Sequence, residues 1–276
     1  ATKPVPAELS PVFTSSRLQR ANMPPTVAAC QMAVDDLDVE SNLETVESRL
    51  SALPERVDLA CFPEQALTGF VTDDRITEAA IPRDGEAIER LIAAVSDADC
   101  EVLVGFVEAA DGDAYNATAY LDGDGVVAVY RKQHLWGGEQ ELLASGDSRV
   151  TVKTPLGKTG LLTCYDLNFV DESAAMTDKR VDALLVPGAW PATHSDNWRL
   201  LLRARALDGV RWVLGAGRTG RRDVEGAPVT DYAGRSLCVR PDGGIRAELD
   251  RAERNLVVDL DETALDRHRE TVGIFE

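Results

Sequence analysis

The amino-acid sequence predicts an α/β protein in which mixed sheets are covered by helices. Short apolar runs alternate with segments whose apolar residues recur at helical spacing, and Gly- and Pro-rich turns join several neighbouring runs. The chain has 276 residues, 44% of them hydrophobic, which suffices for one large core. Hairpins combined with strand–helix–strand units are typical of mixed sheets under helical layers.

The first half of the chain alternates between the two kinds of segment. Strands are predicted at residues 27–32, 57–62, 101–108, 114–121 and 126–131. A helix is predicted over 42–53, because Leu43, Val46 and Leu50 share one face. A second helix over 86–98 has Ile88, Leu91, Ile92 and Val95 at helical spacing. The Asp-Gly-Asp-Gly segment at 122–125 is a typical hairpin turn.

The second half continues the alternation. A Pro-Leu-Gly turn at 155–157 joins predicted strands 150–153 and 159–164. Helices are predicted over 171–179 and 198–207, and strands over 183–186, 212–214, 236–240 and 257–260. The turn at 241–244 is expected to connect the last two strands.

The domain organisation is simple. No repeat or low-complexity block follows residue 25, so residues 25–276 are expected to form a single domain. Residues 1–24 are polar and Pro-rich, and we interpret them as an N-terminal extension: an upstream segment, a cloning remnant or an arm that docks on a partner. They lack the apolar middle of a signal peptide, and no run approaches the roughly 18 apolar residues of a membrane span.

Charge excludes one class of partner. The formal net charge is −18, and only five of the 29 basic residues are lysines. Nucleic-acid binding needs a basic surface, so it is not expected, nor is membrane binding. One hypothesis for this lysine-poor, acidic surface is a source that lives in high salt.

The chain has five cysteines, Cys30, Cys61, Cys100, Cys164 and Cys238. Their odd number and the absence of a CxxC pair make a disulfide framework unexpected, and we predict a cytoplasmic protein. Cys30 and Cys61 lie in apolar runs and are expected to be core thiols.

Three reactive side chains stand at or just after strand-like runs. Glu64 follows 57–62, Lys132 follows 126–131, and Cys164 lies where an apolar run meets a polar stretch. Each residue alone has an ordinary structural explanation. Together a carboxylate, an ammonium and a thiol supply a base, an oxyanion partner and a nucleophile, and a nearby ammonium would favour the thiolate.

Several longer segments resemble the nitrilase superfamily of carbon–nitrogen hydrolases over residues 26 to 260. They are Val27–Met32, Phe62-Pro63-Glu64 with Gln65–Phe70, Tyr130-Arg131-Lys132 with His134-Leu135-Trp136, Cys164-Tyr165-Asp166-Leu167, Pro187–Pro191 and Ala204-Arg205-Ala206. Two segments depart from the family pattern, at Phe169–Glu172 and Leu207–Gly209, and both leave the substrate open.

The resemblance implies a role for each site residue. Glu64 would be the general base, Cys164 the nucleophile that forms a thioester, and Lys132 with the backbone N–H of Tyr165 the oxyanion partners. A second glutamate would orient the substrate or assist proton transfer; Glu139 fits its place, with Glu141 as the alternative. Trp190, like Trp198, would line the pocket or pack in the core. No metal or organic cofactor would be needed.

The resemblance also implies fold, assembly and reaction. The fold would be a four-layer αββα sandwich, with two mixed sheets packed face to face, and the protein would form a homodimer or a larger homo-oligomer. The reaction would be hydrolysis of a non-peptide C–N bond in a small molecule. A carboxamide giving acid and ammonia comes first, an N-carbamoyl compound second and a nitrile third. A catalytically silent binding or scaffold member is the alternative of a different class.

Four other patterns have simpler explanations. Residues 215–220 fit GxGxxG, but no helix is predicted after them, as a dinucleotide site would require. Residues 122–125 lack the later ligands of a calcium loop. Asn116-Ala117-Thr118 is a glycosylation sequon, without effect in a cytosolic protein. A protease-like pair of Cys164 with His134 is conceivable but unnecessary.

Overall fold

A computed structural model describes residues 23–275, which form two six-stranded mixed sheets and a two-stranded ribbon. The strands are β1 (Thr26–Gln31), β2 (Leu59–Cys61), β3 (Glu101–Ala110), β4 (Asp113–Asp122), β5 (Gly125–Arg131), β6 (Thr151–Thr154), β7 (Gly157–Leu161), β8 (Ala183–Gly188), β9 (Trp212–Gly217), β10 (Arg221–Arg222), β11 (Thr230–Asp231), β12 (Leu237–Val239), β13 (Ile245–Glu248) and β14 (Arg254–Asp259). The α-helices are α1 (Val39–Ser51), α2 (Arg75–Glu78), α3 (Glu86–Ala98), α4 (Glu139–Leu142), α5 (Val170–Asp178), α6 (Ser195–Leu207) and α7 (Glu262–Val272).

Each half of the chain builds most of one sheet. The first sheet has the order β14-β1-β2-β3-β4-β5, and the second has β13-β12-β9-β8-β7-β6. Strands β1, β2 and β3 run parallel, as do β7, β8 and β9, while the outer strands pair antiparallel. Mixed sheets of this kind follow from combining hairpins with strand–helix–strand units.

The two sheets pack face to face because their strands are apolar on both sides. In β1, Val27 and Ala29 lie in the core between the sheets, whereas Ala28 and Cys30 lie in the core beneath the first pair of helices. In β8, Leu185 faces the other sheet and Leu184 packs under the outer helices. Because side chains alternate along a strand, one apolar run serves two cores. The result is the predicted four-layer αββα sandwich, with α1 and α3 over one sheet and α6 over the other.

Several predicted elements match closely. The helix predicted over 86–98 is α3, and the hairpin turn at 122–125 connects β4 to β5. Cys30 and Cys61 are fully buried, as expected. The strand predicted over 159–164 is too long, since β7 ends at Leu161 and Cys164 begins a short 3₁₀ turn.

The two late strands were predicted, but the connection predicted between them was wrong. The turn at 241–244 joins β12 to β13, a strand that the sequence patterns did not indicate, instead of joining 236–240 to 257–260. Strand β14 crosses to the other sheet and pairs with β1. The local turn was recognisable, but the distant strand partner was not.

The N-terminal extension predicted for residues 1–24 lies outside the described residues, apart from Met23 and Pro24. Among the helices of the described part of the chain, none is long and apolar enough to cross a membrane.

Candidate active site

The segments that follow strands of both sheets meet at one edge of the sandwich. Glu64 lies three residues beyond the last residue of β2, Lys132 directly follows β5, and Cys164 lies just beyond β7 of the second sheet. Gly105 of β3 makes the approach of the Glu64 segment possible. A β-carbon at Gly105 would lie 2.8 Å from the Cα of Glu64 and 2.6 Å from the carbonyl oxygen of Pro63.

Lys132 joins two buried carboxylates. Its Nζ donates to Glu64 Oε1 at 2.7 Å and to Glu139 Oε2 at 2.8 Å. All three side chains are at most 6% exposed. Glu139 therefore occupies the place expected for the second glutamate, whereas Glu141 is exposed on the same short helix.

Each carboxylate is oriented by further donors. Asn116 Nδ2 donates both to Glu64 Oε1 at 2.8 Å and to Glu139 Oε1 at 2.5 Å. The backbone N–H of Ala189 donates to Glu64 Oε2 at 2.9 Å, and that of Trp136 to Glu139 Oε2 at 2.8 Å. Both glutamates thus have both oxygens held, which fixes their orientation before any ligand binds.

Cys164 stands on a strained turn. Its φ of +49° is a left-handed conformation that residues with a β-carbon rarely adopt. The turn is held by Asp166, whose carboxylate accepts from the backbone N–H of Thr163 at 2.9 Å and from the Tyr130 hydroxyl at 2.7 Å. Such a turn projects the sulfur out of the sheet and toward the carboxylates.

The charges around Cys164 favour its neutral form. Burial of the sulfur and the nearby Glu64 raise the pKa of the Cys164 thiol well above its ordinary value, although Lys132 opposes them. The expected preference for thiolate is therefore outweighed, and the resting thiol keeps its proton. Attack on a carbonyl then requires a base, and Glu64 is the adjacent carboxylate.

The lysine and the second glutamate have shifted pKa values of their own. Burial alone would lower the pKa of Lys132, but Glu139 and Glu64 outweigh it and raise that pKa well above its usual range. Burial, with the charge of Glu64, raises the pKa of Glu139 despite its contact with Lys132. The cluster thus keeps a permanent cation beside the thiol.

The four side chains line one small cavity. Glu64, Lys132, Glu139 and Cys164 all border a space of about 260 Å³. A second space of about 170 Å³ lies on the other side of Cys164 and is bordered by Tyr165 and Trp190. A larger groove of about 700 Å³ between α1 and α3 contains none of these residues.

The remaining candidate residues, Trp190, Trp198 and His134, differ in their contacts. Trp190 has a buried indole N–H without a partner in the described residues, while Trp198 is a core residue that donates to the carbonyl of Arg235. His134 Nδ1 lies 3.0 Å from Asp166 Oδ1, and its ring stacks on Phe169. Through these contacts His134 packs against the turn that carries Cys164.

Asn116, Thr118 and Asp166 contribute to the site but were not anticipated. Asn116 is 1% exposed and contacts both glutamates, although the sequence suggested only a glycosylation sequon. Thr118 of the same sequon shares a hydrogen bond of 3.1 Å with Thr163, which precedes Cys164. The available signal was two polar residues with an alanine between them inside an apolar strand. Asp166 was named only within the Cys164–Leu167 segment, with no role of its own.

In residues 23–275, no group of three or more His, Cys, Asp or Glu side chains is placed to hold a metal ion. The GxGxxG segment at 215–220 leads into β10, so no helix follows it.

Comparisons with known proteins agree with this geometry. The family model for carbon–nitrogen hydrolases matches residues 26–268. The chain is 31% identical to an (R)-stereoselective amidase from Pseudomonas sp over 84% of this chain and 83% of that one. It is 28% identical to a 2-oxoglutaramate amidase from Paenarthrobacter nicotinovorans over 90% of this chain and 87% of that one. A CN-hydrolase superfamily protein from Xanthomonas campestris superposes with a TM-score of 0.84 at 22% identity, covering 91% of this chain and 95% of that one. With the buried Glu–Lys–Glu cluster beside a cysteine, these matches show that the chain belongs to the carbon–nitrogen hydrolase family.

Proposed function

We propose that the protein hydrolyses a small carboxamide to ammonia and a carboxylic acid through a thioester on Cys164. The observation that carries the proposal is the buried cluster of Glu64, Lys132 and Glu139, which borders the same cavity as the sulfur. It unites a base, a fixed cation and a nucleophile in one site.

The first half of the reaction forms the thioester. Glu64 takes the proton of the Cys164 thiol as the sulfur attacks the carbonyl carbon. Lys132 and the backbone N–H of Tyr165 stabilise the oxyanion. When this intermediate collapses, the C–N bond breaks and the proton held by Glu64 passes to the leaving nitrogen, which departs as ammonia.

Water completes the cycle. Glu64 takes a proton from a water molecule, whose oxygen attacks the thioester carbon. The C–S bond then breaks to release the acid, and Glu64 returns the proton to the sulfur, which restores the thiol. Glu139 accepts a hydrogen bond from Gln65 Nε2 at 3.1 Å, keeps Lys132 in place and orients the amide. Trp190 and Tyr165 border the smaller cavity, where part of the substrate or its leaving group would lie.

The two relatives described above are both amidases, which supports a carboxamide over an N-carbamoyl compound or a nitrile. A catalytically silent binding protein is the contrasting proposal. The matched donors on both buried carboxylates count against it, because a binding scaffold has no need of a fixed cation beside a thiol.

An ammonia-release screen over small carboxamides, N-carbamoyl amino acids and nitriles tests the proposal. We expect turnover with carboxamides and little or none with the other two classes. Turnover confined to nitriles or N-carbamoyl compounds would reassign the substrate, and none in any class would favour the silent protein.

Asn116 provides a prediction specific to this cluster. In Asn116→Asp, a third carboxylate beside Glu64 and Glu139 replaces a donor, and like charges raise carboxyl pKa values. We expect kcat/KM to fall about 100-fold and the acidic limb of its pH profile to move upward. Asn116→Leu should lower activity with a smaller shift in pH. An unchanged pH profile in Asn116→Asp would show that Asn116 does not position the carboxylates.

We further propose a homodimer formed through the second helical layer. Val170 on α5 and Leu200 and Leu207 on α6 are 65%, 62% and 57% exposed, which is unusual for apolar side chains of this size. Light scattering on the purified protein distinguishes a dimer from a monomer, and Leu200→Glu should shift a dimer toward monomer.

The acidic surface leads us to propose adaptation to high salt. Raising salt from about 0.1 M to about 1 M shortens the Debye length from about 10 Å to about 3 Å, which screens repulsion within a chain of net charge −18. We expect Tm and activity to rise over this range. A protein whose Tm and activity are unchanged between the two salt concentrations would refute the adaptation.

We also propose a cytoplasmic location. Four of the five cysteines are buried, and the proposed catalytic thiol of Cys164 needs a compartment that keeps it reduced.

A further inference from the structure

Arg222 is a buried arginine that has no carboxylate partner among residues 23–275. The described part of the chain has four buried arginines, and three of them form ion pairs. Arg205 and Arg211 pair with Asp208, and Arg218 pairs with Asp36 at 2.7 Å. Arg222 instead donates only to neutral acceptors: the carbonyls of Phe70 and Pro228 and the Thr230 hydroxyl.

Burying a cation without a carboxylate partner costs free energy, so the groups around Arg222 indicate what its partner could be. Arg222 is 8% exposed and borders the same cavity as Cys164. A guanidinium has five N–H groups, and the four hydrogen bonds given above leave one of them, on Nη1, without an acceptor among residues 23–275. The cavity therefore has a positively charged donor on its wall.

Tyr232 adds a second donor on that wall. Its ring borders the cavity, and its hydroxyl makes no hydrogen bond to a residue in the range 23–275. The Arg218 guanidinium lies 4.1 Å from the ring centroid and is anchored by Asp36, so the ring is held in place. Burial raises the pKa of Tyr232 although Arg218 and Arg222 oppose it, so the phenol stays neutral and can donate.

The rest of the cavity limits the size and nature of the ligand. A volume of about 260 Å³ corresponds to about nine water molecules at roughly 30 Å³ each. Phe70, Trp136 and Pro191 give the cavity an apolar stretch. A matching ligand has a reactive amide, a short apolar chain and an anionic group.

We propose that Arg222 and Tyr232 form a subsite for a carboxylate on the acyl chain of the substrate, so that the enzyme acts on monoamides of short dicarboxylic acids. This inference rests on the proposed amide hydrolysis at Cys164 and adds the substrate class. It gives Arg222 a carboxylate counter-ion, which residues 23–275 do not supply, and it means that the enzyme selects its substrates by their charge.

The test compares two amides of equal chain length that differ in one charge, glutaramic acid and pentanamide, by ammonia release. A hydrogen-bonded charge pair predicts that wild-type kcat/KM is about 10- to 100-fold higher for the acid, mainly through KM. In Arg222→Gln this ratio should fall to about one, and in Tyr232→Phe it should fall about threefold to tenfold. Arg221→Gln is the matched control, because Arg221 is the adjacent arginine of the same ribbon and its side chain is 56% exposed. It should leave the ratio unchanged.

Three outcomes would overturn the inference. They are an equal wild-type kcat/KM for glutaramic acid and pentanamide, an equal loss for both substrates in Arg222→Gln, and a fall of the ratio in Arg221→Gln as large as in Arg222→Gln. If Arg222→Gln does not fold, inhibition of the wild type decides: glutarate should compete at least about tenfold better than 1,5-pentanediol, and equal inhibition overturns the subsite. Turnover of neutral amides without this preference would leave the proposed function standing, whereas failure with every amide would remove both.

Discussion

Replacing Cys164 by alanine is expected to lower kcat by about 10⁴- to 10⁶-fold while the protein stays folded. The sulfur forms the bond that defines the proposed intermediate, and no other described cysteine borders the cavity. Alanine retains a β-carbon, so the backbone at φ +49° is no more strained than with cysteine. Ammonia release measures the loss of activity, and thermal unfolding shows whether the variant stays folded.

Cys238 provides the control. It is 1% exposed on β12, in the core between the sheets, and has no contact with the site cavity. Cys238→Ala should keep kcat and lose about 1 kcal/mol of stability through the small void it leaves. Turnover of Cys164→Ala within about tenfold of the wild type would rule out the thioester.

Replacing Lys132 by methionine is expected to abolish most activity and to destabilise the fold by about 3–5 kcal/mol. The substitution keeps the apolar stem but leaves Glu64 and Glu139 buried without their cation. Loss of the oxyanion partner should cost about 10²- to 10³-fold in kcat. Lys153→Met on β6, which replaces an exposed lysine, should change stability by no more than about 0.5 kcal/mol.

The loss of stability in Lys132→Met is expected to depend on pH. Without Lys132, the buried Glu139 has a pKa raised still further above its unfolded value. The variant therefore keeps its full stability below the pKa that Glu139 has in the unfolded chain. It loses stability as the pH rises through the pKa that Glu139 has in the folded protein. The deficit of Lys132→Met should therefore be larger at pH 8 than at pH 5, as urea unfolding at both pH values would show. A deficit independent of pH would mean that packing and not charge is responsible.

A second substitution sharpens the test of Lys132. Glu139→Gln alone removes a partner of Lys132 and should destabilise the wild type. In the Lys132→Met background it removes an unpaired buried carboxylate and should restore stability. If the two losses simply add, the ion pairs do not hold the cluster together.

Local sequence patterns were sufficient to predict many of the helices and strands. Helix α3 was predicted with its observed ends because Ile88, Leu91, Ile92 and Val95 recur at helical spacing. The pairing of β14 with β1 was not predictable in this way. Leu256 of β14 lies opposite Ala29, and nothing in either segment specifies a partner more than 200 residues away.

The site residues likewise include some that local patterns predicted and some that they did not. Glu64, Lys132 and Cys164 were predicted because they follow strand ends and match a family pattern, and Glu139 was predicted from the family pattern alone. The structure brings all four to one cavity. Asn116 was missed because its role depends on which side of β4 faces the cluster. Arg222 was missed because its segment has no pattern of its own, and it reaches the cavity only through the ribbon of β10 and β11.

Acid-quenched mass spectrometry during turnover tests the central claim most directly. An ester of the substrate acid has a better leaving group than the amide, so hydrolysis of the acyl-enzyme should limit its turnover and the intermediate should accumulate. The account predicts the mass of one acyl group on the peptide that contains Cys164, and none in Cys164→Ala. An acyl group on any other residue, or continued turnover by Cys164→Ala, would contradict it.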